Sequence, residues 1–212
     1  MFELPSRLLT KVLLAGSLLS SSASAQPARP DPFVFIEDRD DKGASGEGLA
    51  WWLLESKIRP TGKSVSGVTL DRLTKAADDP TSTWCYATAF TPASFVSASR
   101  RVQAEIEETF RKHQGALFRA TAAFTGAAVQ DAVVGNYETC EGAVGAFILI
   151  TDRAPLTRGI VHLKTFPDWQ GLIWIEHEGD ALRLSSCFEC GHVDRIYYDK
   201  GRRQFYMRSE GD

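Results

Sequence analysis

The sequence predicts an α+β fold: an antiparallel β-meander, as a curved sheet or partial barrel, covered by one long amphipathic helix. Three observations predict it. From residue 116 onward, strand-length segments alternate with turn signals at short intervals, the pattern of strands joined by hairpins. Ahead of them Phe95, Ala98, Val102, Ile106 and Phe110 recur at helical spacing. Phe147–Ile150 is apolar at every position, as a central strand with both faces covered would be.

Taken in order, residues 1–25 read as a secretory signal peptide. Arg7 and Lys11 precede the apolar Val12–Leu19, and Ser22-Ala23-Ser24-Ala25 supplies small residues for cleavage before Gln26. A spanning helix needs roughly 20 apolar residues, so no membrane span is expected once the signal is removed. Pro27, Pro30 and Pro32 make residues 26–32 an extended linker. Residues 33–212 then form a single α+β domain, with 33–115 mostly helix and loop and 116–212 antiparallel sheet.

Within the first part, Phe33–Ile36 is strand-like and Glu37–Gly48 is an acidic, Gly-rich loop. Leu49–Ile58 carries the apolar run Trp51–Leu54 and reads as helix, stopped by Pro60. Val65–Leu70 reads as a strand and Asp71–Ala77 as a helical turn. Thr91-Pro92 offers an N-cap and a first-turn proline, and Gly115 a stop, for the long helix. In the second part the expected strands are Leu117–Phe124, Ala132–Tyr137, Val144–Thr151, Ile160–Phe166, Leu172–His177, Ala181–Ser186, Val193–Asp199 and Gln204–Arg208.

Composition narrows the function. With 24 basic and 27 acidic residues the formal net charge is −3, which draws the chain neither to nucleic acid nor to an anionic membrane. A hydrophobic content of 43% is that of an ordinary globular domain. An Arg-rich chain with the single asparagine Asn136 has the composition of a GC-rich bacterial protein. A periplasmic or secreted location is therefore expected.

Four cysteines, Cys85, Cys140, Cys187 and Cys190, behind a signal sequence read as a disulfide framework. Three connectivities are possible. Cys187–Cys190 with Cys85–Cys140 is expected, because residues i and i+3 of a tight turn fall within disulfide reach; cross-pairing is the alternative. Cys187-x-x-Cys190 has two further readings. Thiol–disulfide exchange asks for a helix N-terminus under the pair, and strand-like residues follow instead. A zinc knuckle with His192 as third ligand lacks a second cysteine pair. His113, His162, His177 and His192 are scattered through the chain. In the expected meander His177 falls opposite about Leu182.

Other motifs dissolve on inspection. Gly62-Lys63-Ser64 lacks the first glycine of a P-loop, and the acidic stretch from Asp38 lacks the closing glutamate of an EF-hand. No assembled catalytic set is visible and no cofactor is called for. The remaining signal is aromatic: Trp169, Trp174, Tyr197, Tyr198 and Tyr206, beside Arg195, Arg202 and Arg203. Aromatics with arginine have the composition of a protein-binding surface. The expected function is that of an exported, disulfide-stabilised, non-catalytic protein that binds another protein or an envelope component. The alternatives are an exported hydrolase or thiol-redox enzyme, and a zinc-stabilised module using Cys187, Cys190 and His192.

Phe124–Gly135, a loop leading into a strand, resembles an FG-GAP/VCBS-type repeat of extracellular β-propellers. The resemblance covers about one repeat. It implies an extracellular setting and a loop whose aspartates bind calcium. Of those acids this chain keeps Asp131, with Ala127, Ala128 and Val129 at neighbouring positions.

Overall fold

The computed structural model of the protein describes residues 33–36, 56–79, 82–91, 94, 108, 111, 117–153, 159–169, 172–185 and 193–210. Among them the chain builds a five-stranded sheet, a four-stranded sheet and two two-stranded sheets. The five-stranded sheet comprises β5 (Trp84–Ala89), β6 (Arg119–Ala122), β7 (Gln130–Thr139), β8 (Val144–Asp152) and β9 (Ile160–Pro167). The four-stranded sheet is a meander of β10 (Trp174–Glu178), β11 (Ala181–Ser185), β12 (Val193–Asp199) and β13 (Gln204–Glu210). Every pairing is antiparallel.

The expected strands of the second half are present, with ends shifted by a few residues. His177 does fall opposite Leu182. The expectation of an α+β fold under a long helix is overturned. The fold is mostly β: α1 (Leu70–Ala76) is seven residues long, and no long helix covers the sheet among the described residues. Most of residues 91–115, where the long helix was expected, lie outside the described residues. At its start Ser94 N–H donates to the Thr91 carbonyl in a single turn.

The physical reason lies in who covers the central strand. On one face, Ala132 and Val134 of β7 and Ala146, Ile148 and Ile150 of β8 pack against Leu182, Leu184 and Ile196 of the meander. On the other, Val133, Tyr137, Phe147, Leu149 and Leu163 pack against Val65, Val68, Leu73 and Trp84. A second sheet takes the place assigned to a helix. Runs apolar on both faces report double cover but not what supplies it. Each of the buried valine, leucine, isoleucine and phenylalanine side chains among these stabilises the fold by roughly 1.5–3 kcal/mol.

A second expectation fails earlier. Leu49–Ile58 was expected to be helical, yet Ser56–Arg59 is β2, paired with β1 (Phe33–Ile36). Val65–Leu70 is not one strand but a hairpin of β3 (Ser64–Val65) and β4 (Val68–Thr69), running into α1. Its two turn residues, Ser66 and Gly67, have φ of 49° and 80°, the geometry of a tight two-residue hairpin turn. Helix α1 lies across the sheet from β5 to β9. Trp84 N–H donates to Thr74 Oγ1 at 3.0 Å, and Asp78 beyond the helix accepts from Lys164 Nζ at 2.8 Å.

The edge beside β7 has an unusual construction. β5 pairs with Gly135–Thr139 and β6 with Gln130–Val133, so both lie end to end along one side of β7. Val134 bridges the junction: its carbonyl accepts from Phe90 N–H and its N–H donates to the Phe118 carbonyl. The Phe90 and Phe118 rings meet edge to face at 5.4 Å. Thus one strand is interrupted by residues 91–117 and then resumed.

The two sheets also meet at their margins. Ile175 N–H donates to the Leu117 carbonyl at 2.8 Å, and Phe124 meets His177 edge to face at 5.7 Å. Elsewhere His162 of β9 stacks on Phe205 of β13 at 4.9 Å. Burial lowers the His162 pKa below its ordinary 6.5, with Lys164 adding to the shift and Asp78 opposing it. A lowered folded-state value means that this contribution to stability is present above about pH 6.5 and declines as pH falls through the folded-state pKa. Urea midpoints should therefore drop between about pH 7.5 and 5.5. His162→Phe should flatten that drop while keeping a ring against Phe205; an unchanged slope would remove His162 from the account.

Candidate functional site

The outward face of the meander is built by strand alternation. Leu182, Leu184 and Ile196 point to the core, so their neighbours point away. Register then aligns Glu176, Arg183, Arg195 and Arg208 across the four strands. One step along, Glu178, Ala181, Tyr197 and Tyr206 form the next row. Arg183 bonds Glu176 at 3.2 Å and Arg195 bonds Glu178 at 3.1 Å. Arg208, exposed at the end of its row, has no ion-pair partner among the described residues.

Tyr197 and Tyr206 stack with centroids 5.5 Å apart and planes 21° from parallel. Tyr206 is 47% exposed. A large ring held by its neighbour yet half in water loses little conformational freedom when something covers it. Tyr198 faces the other way and packs on Phe205. The turn from β12 to β13 is fixed by Asp199, whose Oδ1 accepts from the backbone N–H groups of Gly201 and Arg202. That turn displays Arg202 and Arg203, both exposed, with Arg203 at φ 55°.

The structure thus gathers Tyr197, Tyr206 and Arg195 on one face, with Arg202 and Arg203 in the turn at its end. It separates three other residues from them. Trp174 is only 3% exposed and belongs to the core, because β10 starts against β6 and is covered on both sides. Tyr198 is on the opposite face. Trp169, 38% exposed, sits in the turn after β9, where its carbonyl accepts from Asn136 Nδ2 of β7. Arg183, Arg208, Glu176 and Glu178 were missed from sequence, although the alternation in Leu182-Arg183-Leu184 carries the signal.

Cys85 and Cys140 form a disulfide, as expected. Their strands are already neighbours: Cys140 N–H donates to the Thr83 carbonyl, and the bond spans a register shift in β5. Cys187, Cys190 and His192 lie outside the described residues, as do residues 1–25. Asp131 is a structural carboxylate. It is 2% exposed and accepts from Thr121 at 2.8 Å and Arg119 at 2.9 Å. Burial pushes its pKa up, but those bonds and the Arg119 charge outweigh it, so the net shift is downward.

A small cleft opens on the other side of the five-stranded sheet, with a volume of about 80 Å³. Its lining includes Trp84, Tyr137, Asp79, Asp168, Ser82 and Thr139. The Tyr137 ring lies parallel to Trp84 at 4.1 Å, and Gly145 opposite leaves it room, since a Cβ there would sit 2.5 Å from the ring. Burial raises the Tyr137 pKa, and the charges of Asp168, Asp79 and Asp78 raise it further. Among the described residues no His, Cys, Asp and Glu group is placed to hold a metal, and no helix is long and apolar enough to cross a membrane. Comparison of the chain with family models, with curated proteins and with solved structures found no match.

Proposed function

We propose that this is an exported, disulfide-stabilised protein that binds another protein through the outward face of its meander. The stacked Tyr197–Tyr206 pair beside Arg208, which has no ion-pair partner among the described residues, carries the reading. Interface hot spots favour tyrosine and arginine in this kind of setting. The cations on either side of the tyrosine row, Arg208 on the edge strand and Arg202 and Arg203 in the turn, favour a partner surface bearing carboxylates. Export is supported by the signal-like residues 1–25 and by the Cys85–Cys140 bond, since such bonds persist in oxidising compartments.

The test is capture from a cell-envelope extract with disulfides intact, comparing the wild type with Tyr206→Ala and Arg208→Ala. Both side chains are exposed, so both variants should fold with unchanged circular dichroism. A partner held by the wild type should bind each variant at least about tenfold more weakly, a loss of about 1.4 kcal/mol or more. Equal retention by all three would refute this face as the binding surface.

A further inference from the structure

The edges of the two large sheets are treated unequally. Along β5, Ala87 N–H donates to the Gly62 carbonyl at 3.0 Å. Where β10 meets the start of β6, Ile175 N–H donates to the Leu117 carbonyl. β9 has a register shift opposite Ile150 and Thr151, and Asp78 accepts from its Thr165 N–H and from Lys164 Nζ. Covers and irregularities of this kind keep a sheet edge from pairing further. The edge at β13 lacks them. β13 runs seven residues without proline and pairs with β12 in unbroken register. Among the described residues its other side has no backbone hydrogen bond. Its core-side residues Phe205, Met207 and Ser209 carry no charge to repel a neighbour. Met207 shares the core side with buried Ile196, yet it is 39% exposed. The apolar layer therefore reaches this edge without being covered.

We infer that β13 pairs antiparallel with the β13 of a second copy of this chain, joining two meanders into one eight-stranded sheet. An edge that pairs with itself about a two-fold axis must be complementary to itself. The register that uses all seven residues of Gln204–Glu210 sets Met207 opposite the second copy's Met207. Each Met207 then covers the other on the core side. On the outward side Arg208 stands across from the second copy's Tyr206, and Tyr206 from its Arg208. Two guanidinium groups thereby meet two half-exposed rings, a favourable pairing. Phe205 stands across from Ser209, and Gln204 from Glu210, so no like charges are directly opposed. Moving the axis one residue along would set Arg208 against itself. The backbone edge and Met207 carry this pairing, so it does not depend on the capture proposed for the outward face.

The experiment is sedimentation of the whole chain, disulfides intact, over a range of concentrations. The mass should rise from one copy to two. Met207→Lys puts a charge on the core side of the edge and should weaken the dimer at least tenfold, with circular dichroism unchanged. Its capture through the outward face should be unaffected, because Met207 points the other way. The register has its own readout. Met207→Cys lies on the two-fold axis and should oxidise to a disulfide-linked dimer. Gln204→Cys should not, since the two copies of that position lie six residues apart along the strands, roughly 20 Å. A single copy at every concentration up to about 1 mM would overturn the inference and leave the edge to a strand of another polypeptide. A dimer that survives Met207→Lys, or that links as well through Gln204→Cys, would overturn it by placing the contact elsewhere.

Discussion

Gly135→Ala will destabilise the protein by about 3 kcal/mol or prevent it from folding. Gly135 sits in the middle of β7, opposite Ala89 on one side and Phe147 on the other. A methyl group there would meet the Thr88 carbonyl oxygen, the Phe147 ring at 2.7 Å and the Ala89 Cα at 2.9 Å. Two of those obstacles are backbone of a paired strand and cannot rotate aside. The ring belongs to a fully buried phenylalanine. Relief therefore requires β5 to move off β7, at the strand that carries Cys85. Thermal or urea unfolding measures the effect; a loss under about 1 kcal/mol would show that β5 yields easily. Gly145→Ala is a useful contrast, because its obstacle is the side-chain ring of Tyr137 rather than backbone.

The second large effect is expected from removing the Cys85–Cys140 bond. The two cysteines are 55 residues apart in sequence, and a closed loop of that length restrains the unfolded chain by about 4 kcal/mol in the chain-entropy account. The Cys85→Ser, Cys140→Ser double variant should lose about that much, seen as a lower urea midpoint with an altered slope. The variant is a cleaner test than reductant, which acts also on Cys187 and Cys190. A loss below about 1 kcal/mol would mean that strand pairing already restrains this loop in the unfolded state. A protein native in a reducing compartment should tolerate the change, so the same variant bears on the proposed export.

The meander was legible because period-2 patterning and turn residues coincide there. Val193–Asp199 is found with the ends read from sequence, and the His177–Leu182 pairing follows from the hairpin at Gly179. The cover of Phe147–Ile150 was not legible, since burial on both faces looks the same under a sheet as under a helix. β5 is not among the strands expected from sequence, since nothing local marks a strand that resumes after residues 91–117. The tyrosine pair was half legible. Strand alternation sets Tyr197 and Tyr198 on opposite faces, but only cross-strand register reveals that Tyr206 joins Tyr197 and Phe205 joins Tyr198. The cleft was invisible, for it draws Asp79, Tyr137 and Asp168 from distant stretches.

The divided strand beside β7 has a further consequence. Its two halves meet at Val134, where the described strand pairing passes from Phe90 directly to Phe118. The point of departure and the point of return are neighbours in space, clasped by Phe90 and Phe118. Joining neighbouring points costs little more for a long tether than for a short one, as closure entropy grows only logarithmically with length. Closure entropy therefore sets little limit on how long the segment leaving at Phe90 and returning at Phe118 can be.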